Sequence, residues 1–544
     1  MRRLILALLL LPSLALPVHA KEELAIGVTQ FPATLHPAIE SMLAKSYVLA
    51  FAHRPITAYD AKWQLICMLC ERLPTMENGL AKAEGKGVAI TYTLKGDAKW
   101  ADGTPVSTAD VVFTWEVGKH PQSGVASAEL FRRIQRIDVK DAKTFTLHLD
   151  RLTFDYNAVN DFRLLPAHVE KARFVAAPAD YRNRTAYDQD STNPGLYNGP
   201  FRIASVVQGS HVVLEPNAYW HGPKPAFRRI VVRAVENTAA LEANLLAGGV
   251  DMIAGELGLP LDQAIAFEKR NAARFTVVFK PSLVYEHLDV NLSNPALADR
   301  GLRQALMHAL DREALSKQLF DGRQAVAHSL VPPLDWVFAD DAPKYPYDPA
   351  RAAALLEAAG WKAGPGGMRR NDKGEPLALE LGTTAGNRSR ELVAQVLQSQ
   401  WRKAGIEVRL KSEPPRVFFG DTVTRRKFPH LAMFAWYSAP ENVPRSTLHS
   451  GMVPKAENNW SGQNYTGYAN PKMDALIDAI EVELDRPRRK ALWRELQHLY
   501  ATDLPALPLY FRADAFILPN GLKGVEPTGH QDPSPLWVET WRWE

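Results

Sequence analysis

The chain has 544 residues, a formal net charge of +4, 46% hydrophobic and 23% charged residues, which is ordinary globular composition and length for two to four domains at about 150 residues each. So small a net charge excludes the broad basic footprint of a nucleic-acid binder, and the short clusters Arg132-Arg133, Arg228-Arg229 and Arg425-Arg426-Lys427 read as solvated faces. No fixed-period repeat is visible, which excludes solenoids and propellers.

In chain order, Met1-Arg2-Arg3, an apolar run from Leu4 to Leu11 and the ending Val18-His19-Ala20 predict a secretory signal peptide over residues 1–20, with the mature chain starting near Lys21. The run is short of the about 20 apolar residues that span a bilayer. Cys67 and Cys70 are the two cysteines, so none stands at the cleavage point to accept a lipid. A periplasmic protein is expected, neither anchored nor lipidated. In an oxidising compartment Cys67-Met68-Leu69-Cys70 predicts a local structural disulfide or two buried thiols rather than a redox site, and a four-thiolate zinc site lacks its second cysteine pair.

Leu24 to Thr29 reads as a first strand and Pro37 to Tyr47 as a helix. Val88 to Leu94 is strongly strand-like, Asp102-Gly103-Thr104-Pro105 is a turn, and a helix follows with Thr108 as its cap and Val111, Val112 and Trp115 as its apolar stripe. Strands are predicted at Thr144–Leu149, 212–214, 230–232, 407–411 and 430–434, interleaved with helices at 241–246, 302–310, 351–359, 392–401, 473–482 and 488–500. That alternation predicts an α/β protein in more than one lobe.

Catalytic signatures are missing from the sequence. There is no His-Glu-x-x-His zinc helix and no Gly-x-Ser-x-Gly elbow. Gly79 to Lys86 has its glycines six apart where a phosphate loop needs five, and Gly364-Pro365-Gly366-Gly367 reads as a hairpin tip. No enzyme, cofactor or metal site is therefore expected.

The stretch Tyr92-Thr93-Leu94-Lys95 through Lys99-Trp100-Ala101-Asp102-Gly103-Thr104-Pro105-Val106, running into Ala109-Asp110-Val111-Val112-Phe113-Thr114, resembles the signature of family 5 extracellular solute-binding proteins, the dipeptide- and oligopeptide-binding proteins of ABC importers. Five further blocks follow in the family's order: Asn198 to Ile203, Arg303 to Glu313, Tyr347 to Trp361, Tyr468 to Asp474 and Leu504 to Tyr510. The resemblance implies a periplasmic-binding-protein-like fold: lobe I from residues 21–58, 186–281 and 508–544, an inserted subdomain at 59–185, lobe II at 282–507, and a hinge of two crossing segments. It implies a monomer that captures a peptide or peptide-like solute by lobe closure and hands it to the importer's membrane permease subunits. Opines, glycosides and nickel chelates are the alternatives within the family; a periplasmic hydrolase and a chaperone-like binder are the alternatives outside it.

Peptide-binding relatives carry, three residues after a strand-end tryptophan, an aspartate that holds the ligand's ammonium. Here that tryptophan is Trp436 and the matching position is Ala439. Either Glu441 takes over the cation or the ligand lacks a free α-ammonium there. Besides Trp436, Tyr437, Ser438, Glu441 and Asn442, the expected ligand contacts are Phe31 and Thr34 after the first strand, Tyr285, Glu286 and His287 where the chain crosses between lobes, and Trp460 and Asn464 in the polar, aromatic segment 459–465.

Overall fold

The structure, a computed structural model, describes residues 21–39, 42–125, 128–235, 237–414, 417–458, 460 and 462–544. The expected signal peptide lies outside them.

Two long strands, Phe275–Val290 and Ala506–Pro519, organise the molecule. They pair antiparallel from Phe275 opposite Pro519 to Asp289 opposite Ala506, with register shifts between Pro281 and Tyr285 and between Glu286 and His287. Nine further strands join this pair among the described residues, making an eleven-stranded sheet. On the side of Phe275–Val290 follow Leu431–Tyr437, Ala378–Thr384 and the edge strand Glu407–Glu413; on the side of Ala506–Pro519 follow Met252–Ile253, Glu23–Val28, Arg229–Ala234, His211–Pro216 and the edge strand Phe201–Val207. Ala325–Val326 adds to Ala506–Pro519 near its middle. The first edge exposes Glu407, Arg409 and Lys411 to solvent, and the second is broken by a register shift between Ile203 and Ser205.

Separate apolar cores flank the two ends of this sheet. One gathers Leu24, Ile26, Phe51 and Trp541; another gathers Leu288, Leu306, Leu397, Trp401 and Leu431. A third lies under a four-stranded sheet of Ala81–Glu84, Gly87–Thr93, Thr144–Leu149 and Ile134–Val139, and holds Trp100, Val111 and Phe145. Period-two alternation builds it: Val88, Ile90 and Tyr92 point inward, and Tyr92 stacks on Phe145 with ring centroids 5.7 Å apart.

The signature segment is structural. Gly103 adopts φ +91°, a left-handed conformation that glycine takes without a Cβ penalty. The turn brings Trp100 back so that its indole N–H donates to Asp110 at 3.2 Å, and Trp100 is fully buried. The helix Thr108–Lys119 is capped by Ser107, whose side chain accepts from Ala109, rather than by Thr108, whose hydroxyl donates to the Asp141 carbonyl. Trp115 is only half-buried; its indole reaches the Phe131 carbonyl, and the buried face of the helix runs through Val111, Thr114 and Val117. The helix expected from Pro37 instead begins at Leu43, because the ring Nδ1 of His36 accepts the amides of Ala38 and Ile39 and closes a turn there. Asp311 caps the helix Arg312–Phe320, and the buried Arg312 guanidinium binds the carbonyls of Ala327, Pro508 and Tyr345. Gly364 to Gly367 forms a hairpin tip between Lys362–Ala363 and Arg369–Arg370. Cys67 and Cys70 form a disulfide, with Cα atoms 5.3 Å apart.

Candidate functional site

Side chains alternate along Phe275–Val290, so one face of its C-terminal half carries Leu283, Tyr285, His287 and Asp289 and the other carries Glu286, Leu288 and Val290. The first face lines a cavity of about 460 Å³, within the ~300–1,000 Å³ of small-ligand sites. The neighbouring strand Leu431–Tyr437 delivers Trp436 and Tyr437 to the same cavity, and the loop beyond it delivers Ser438, Ala439 and Asn442. Trp493 and Tyr500, from the helix Arg486–Asp503, close the far wall together with the segment containing Leu330, Asp335 and Val337.

Four rings form a nearly parallel ladder beside the cavity. Tyr285 stacks on His287 at 4.9 Å and 9°, His287 faces Trp436 at 6.4 Å and 16°, and Trp436 faces Tyr465 at 5.9 Å and 23°. The Tyr285 and Tyr500 hydroxyls bond each other at 2.9 Å across the wall. Among the described residues no lysine or arginine lines this cavity.

Glu286, expected at the ligand, lies on the opposite face of the strand. Its fully buried carboxylate accepts from Arg390 Nε at 2.6 Å and lies 3.1 Å from Arg512 Nε. Burial alone would raise its pKa, but the two guanidiniums outweigh burial and hold it below the ordinary carboxylate range. Glu441 is occupied as well: Arg489 and the Trp336 indole bond its carboxylate, and its amide donates to Asp335 at 2.8 Å. With its acceptors in use, Glu441 offers no open carboxylate in place of the residue missing at 439.

Phe31 and Thr34 stand apart from the cavity. They line a pocket of about 20 Å³ elsewhere, where the Thr34 hydroxyl donates to Asp188. Asn464 is fully buried and satisfied, donating to the carbonyls of His449 and Tyr468 and accepting from Thr466 and Tyr468. Trp460 takes φ +58° and its amide donates to the Lys455 carbonyl; it does not line the cavity. The segment contributes Gln463 instead, and Thr466 lines the cavity just beyond it. Sequence reasoning also missed Asp289 and Tyr500. The period-two step from Tyr285 through His287 points straight to Asp289, whereas nothing local in the sequence places Tyr500 opposite them.

A second cavity of about 270 Å³ shares Ala439, Asn442 and Ser446 with the first and opens toward Tyr59, Phe154, Asp155 and Asn160 of the segment that carries the four-stranded sheet. The two cavities thus adjoin at the loop after Trp436, and the second lies between that segment and the 431–448 region.

Behind the cavity wall the Tyr437 hydroxyl donates to Asp514 at 3.4 Å. Burial, with Glu256 adding to it, pushes the Asp514 carboxyl up to about 8 from its ordinary 3.8. A folded-state pKa above the unfolded one contributes stability that is complete below the unfolded value and lost as pH rises through the folded one. Wild-type stability should therefore decline between about pH 4 and 8 relative to Asp514→Asn. Melting curves from about pH 4 to 9 should show the variant gaining on wild type by roughly 5 kcal/mol in all; parallel curves would contradict the assignment.

Fold and site together define a two-lobed binding protein of the periplasmic type. The family model for bacterial extracellular solute-binding proteins, family 5 middle, matches residues 54–452, and the chain belongs to that family, the solute-binding proteins of ABC importers. It is 25% identical over 479 residues to the oligopeptide-binding protein AppA of Bacillus subtilis, covering 87% of this chain and 82% of that one. It is 24% identical to the nickel-binding periplasmic protein of Escherichia coli, covering 94% and 93%. The crystal structure of an oligopeptide-binding protein from Thermus thermophilus complexed with a pentapeptide superposes with a TM-score of 0.82 at 29% identity, covering 96% of each chain.

Proposed function

We propose that this protein captures a peptide or peptide-like solute in the periplasm and delivers it, as a monomer and without chemical turnover, to the membrane subunits of an ABC importer. The observation that carries the reading is the aromatic-walled cavity built on a crossing strand and on the loop after Trp436. The adjoining cavity toward Asp155 suits an elongated solute. Peptide binding by the relatives in Bacillus subtilis and Thermus thermophilus supports the solute class. For periplasmic placement the support is the amino-terminal sequence and the family; among the described residues no helix is long and apolar enough to cross a membrane.

The lobes are drawn as the resemblance implies: residues 21–58, 186–281 and 508–544 as lobe I, 59–185 as its insertion and 282–507 as lobe II. The long antiparallel pair Phe275–Val290 and Ala506–Pro519 forms the two-segment crossing. Closure would replace the solute's hydration by these walls, and the solute would stabilise the closed form by its preference for it.

A nickel chelate is the second reading, favoured by the nickel-binding relative of Escherichia coli. Among the described residues no group of three or more histidine, cysteine, aspartate or glutamate side chains can hold a metal, so a metal would arrive with its own ligands. Native mass spectrometry of the mature protein as purified, followed by thermal-shift screening of peptide pools, opines and metal chelates, tests both. A retained or stabilising peptide supports the first reading, since a ligand at 100 times its Kd adds about 2.7 kcal/mol to apparent stability. Stabilisation by chelates alone selects the second, and hydrolysis of a bound peptide would overturn the absence of turnover.

A further inference from the structure

The cavity wall contains an unused polar couple. The side chain of His287 is 1% exposed and that of Asp289 is 7% exposed, and both line the cavity. His287 Nδ1 lies 3.2 Å from the Tyr285 carbonyl oxygen, which can only accept, so the proton is assigned to Nδ1. Its Nε2 is buried without a hydrogen-bond partner, although Asp289 Oδ1 stands 3.2 Å away, out of line for a bond. No side chain donates to the Asp289 carboxylate among the described residues, whereas the cavity's other carboxylate, Asp335, already accepts from the amides of Glu441 and Val337. A buried acceptor left without a donor costs free energy that a bound group can recover. Two adjacent open acceptors, one of them a carboxylate, in a cavity whose described lining holds no arginine or lysine, select a cationic N–H donor.

We propose that Asp289, with His287 beside it, binds a protonated amine of the solute and so supplies from the crossing strand the anionic contact that the Trp436 loop lacks at Ala439. Asp289 is thereby a specificity-determining residue of the site, and the inference rests on the binding reading given above. The amine can be a terminal α-ammonium or a basic side chain, chemistry that the same two acceptors serve equally.

The test uses the mature protein, its isosteric variant Asp289→Asn, and His287→Gln, which is measured in its place if the first fails to fold. Each is titrated calorimetrically with a tripeptide pool carrying free amino termini, the same pool N-acetylated, an N-acetylated pool containing lysine, and the amines agmatine and octopine. The expected result is tight binding of the free-amine pool to wild type and a loss on the order of 10- to 100-fold in Asp289→Asn, the range for a hydrogen bond to a charged group. Retained binding of the acetylated lysine pool, with the same dependence on Asp289, places the amine on a side chain and also supports the proposal. Equal affinity in wild type and variant, or equal binding of acetylated lysine-free and free peptides, overturns it while leaving peptide capture intact. Binding of agmatine or octopine alone, dependent on Asp289, upholds the amine contact and overturns the peptide reading. Binding of no probe to wild type overturns both.

Discussion

Arg390→Ala should lower conformational stability by about 3–5 kcal/mol, the cost of leaving a buried charge without its partner. Glu286 has no exposed side-chain surface, and Arg390 meets both of its oxygens, at 2.6 and 3.3 Å, from the helix Arg388–Lys403. Arg512 would remain near the carboxylate at 3.1 Å, but it is partly exposed and approaches only one oxygen. The charge clamp also ties the helix to the crossing strands, because Glu286 belongs to one and Arg512 to the other. Replacing both members, as Glu286→Leu with Arg390→Met, removes the desolvated charges together and should cost far less than the single change. Chemical denaturation gives both numbers. A midpoint for Arg390→Ala equal to wild type would show that the pair contributes nothing net.

Trp436→Ala should weaken solute binding by about 10- to 100-fold, the loss typical of a central aromatic anchor, while leaving the fold in place. The indole faces His287 and Tyr465 in the ring ladder, is half-buried, and lies near the end of its strand rather than in a main core. Glu441→Ala provides the contrast. It strips Arg489 and Trp336 of a partner, so its principal effect is expected on stability, with affinity following only as far as the loop shifts. Calorimetry with whichever solute the screen returns, paired with melting curves for both variants, separates the two. Unchanged affinity in Trp436→Ala would remove the ladder from the site.

Local signals carried much of the fold. Periodicity located the strand around Val88 and the helices around Leu302 and Met473, and composition located the turn at Gly103, because each is decided by residues within a few positions. Caps were less legible: Ser107 and Thr108 are both competent, and the choice fell to Asp141, 33 residues away, which draws off the Thr108 hydroxyl. The site was legible where it lies on one face of one strand. Tyr285, His287 and Trp436 reach the cavity, but Glu286 sits between two of them in sequence and faces the other way. Glu441 has the chemistry of a ligand contact, and its commitment to Arg489 depends on a helix 48 residues further on. Likewise the polar run around Asn464 reads as a binding loop, yet the Asn464 side chain spends its hydrogen bonds on His449, Thr466 and Tyr468. Sequence chemistry identifies groups able to bind; tertiary packing decides which of them remain open.

The two outermost strands of the large sheet bear on how the protein behaves at high concentration. A long open sheet offers unpaired amides and carbonyls that invite a second copy to dock alongside. Here one border presents Glu407, Arg409 and Lys411 to water, where a copy pairing in register would meet like charges or have to desolvate them. The other border is kinked between Ile203 and Ser205, so its hydrogen-bonding groups do not run in a straight, matchable row. Both ends are thereby closed to lateral growth, one by charge and one by shape. A carrier with such borders is expected to stay dispersed at high concentration.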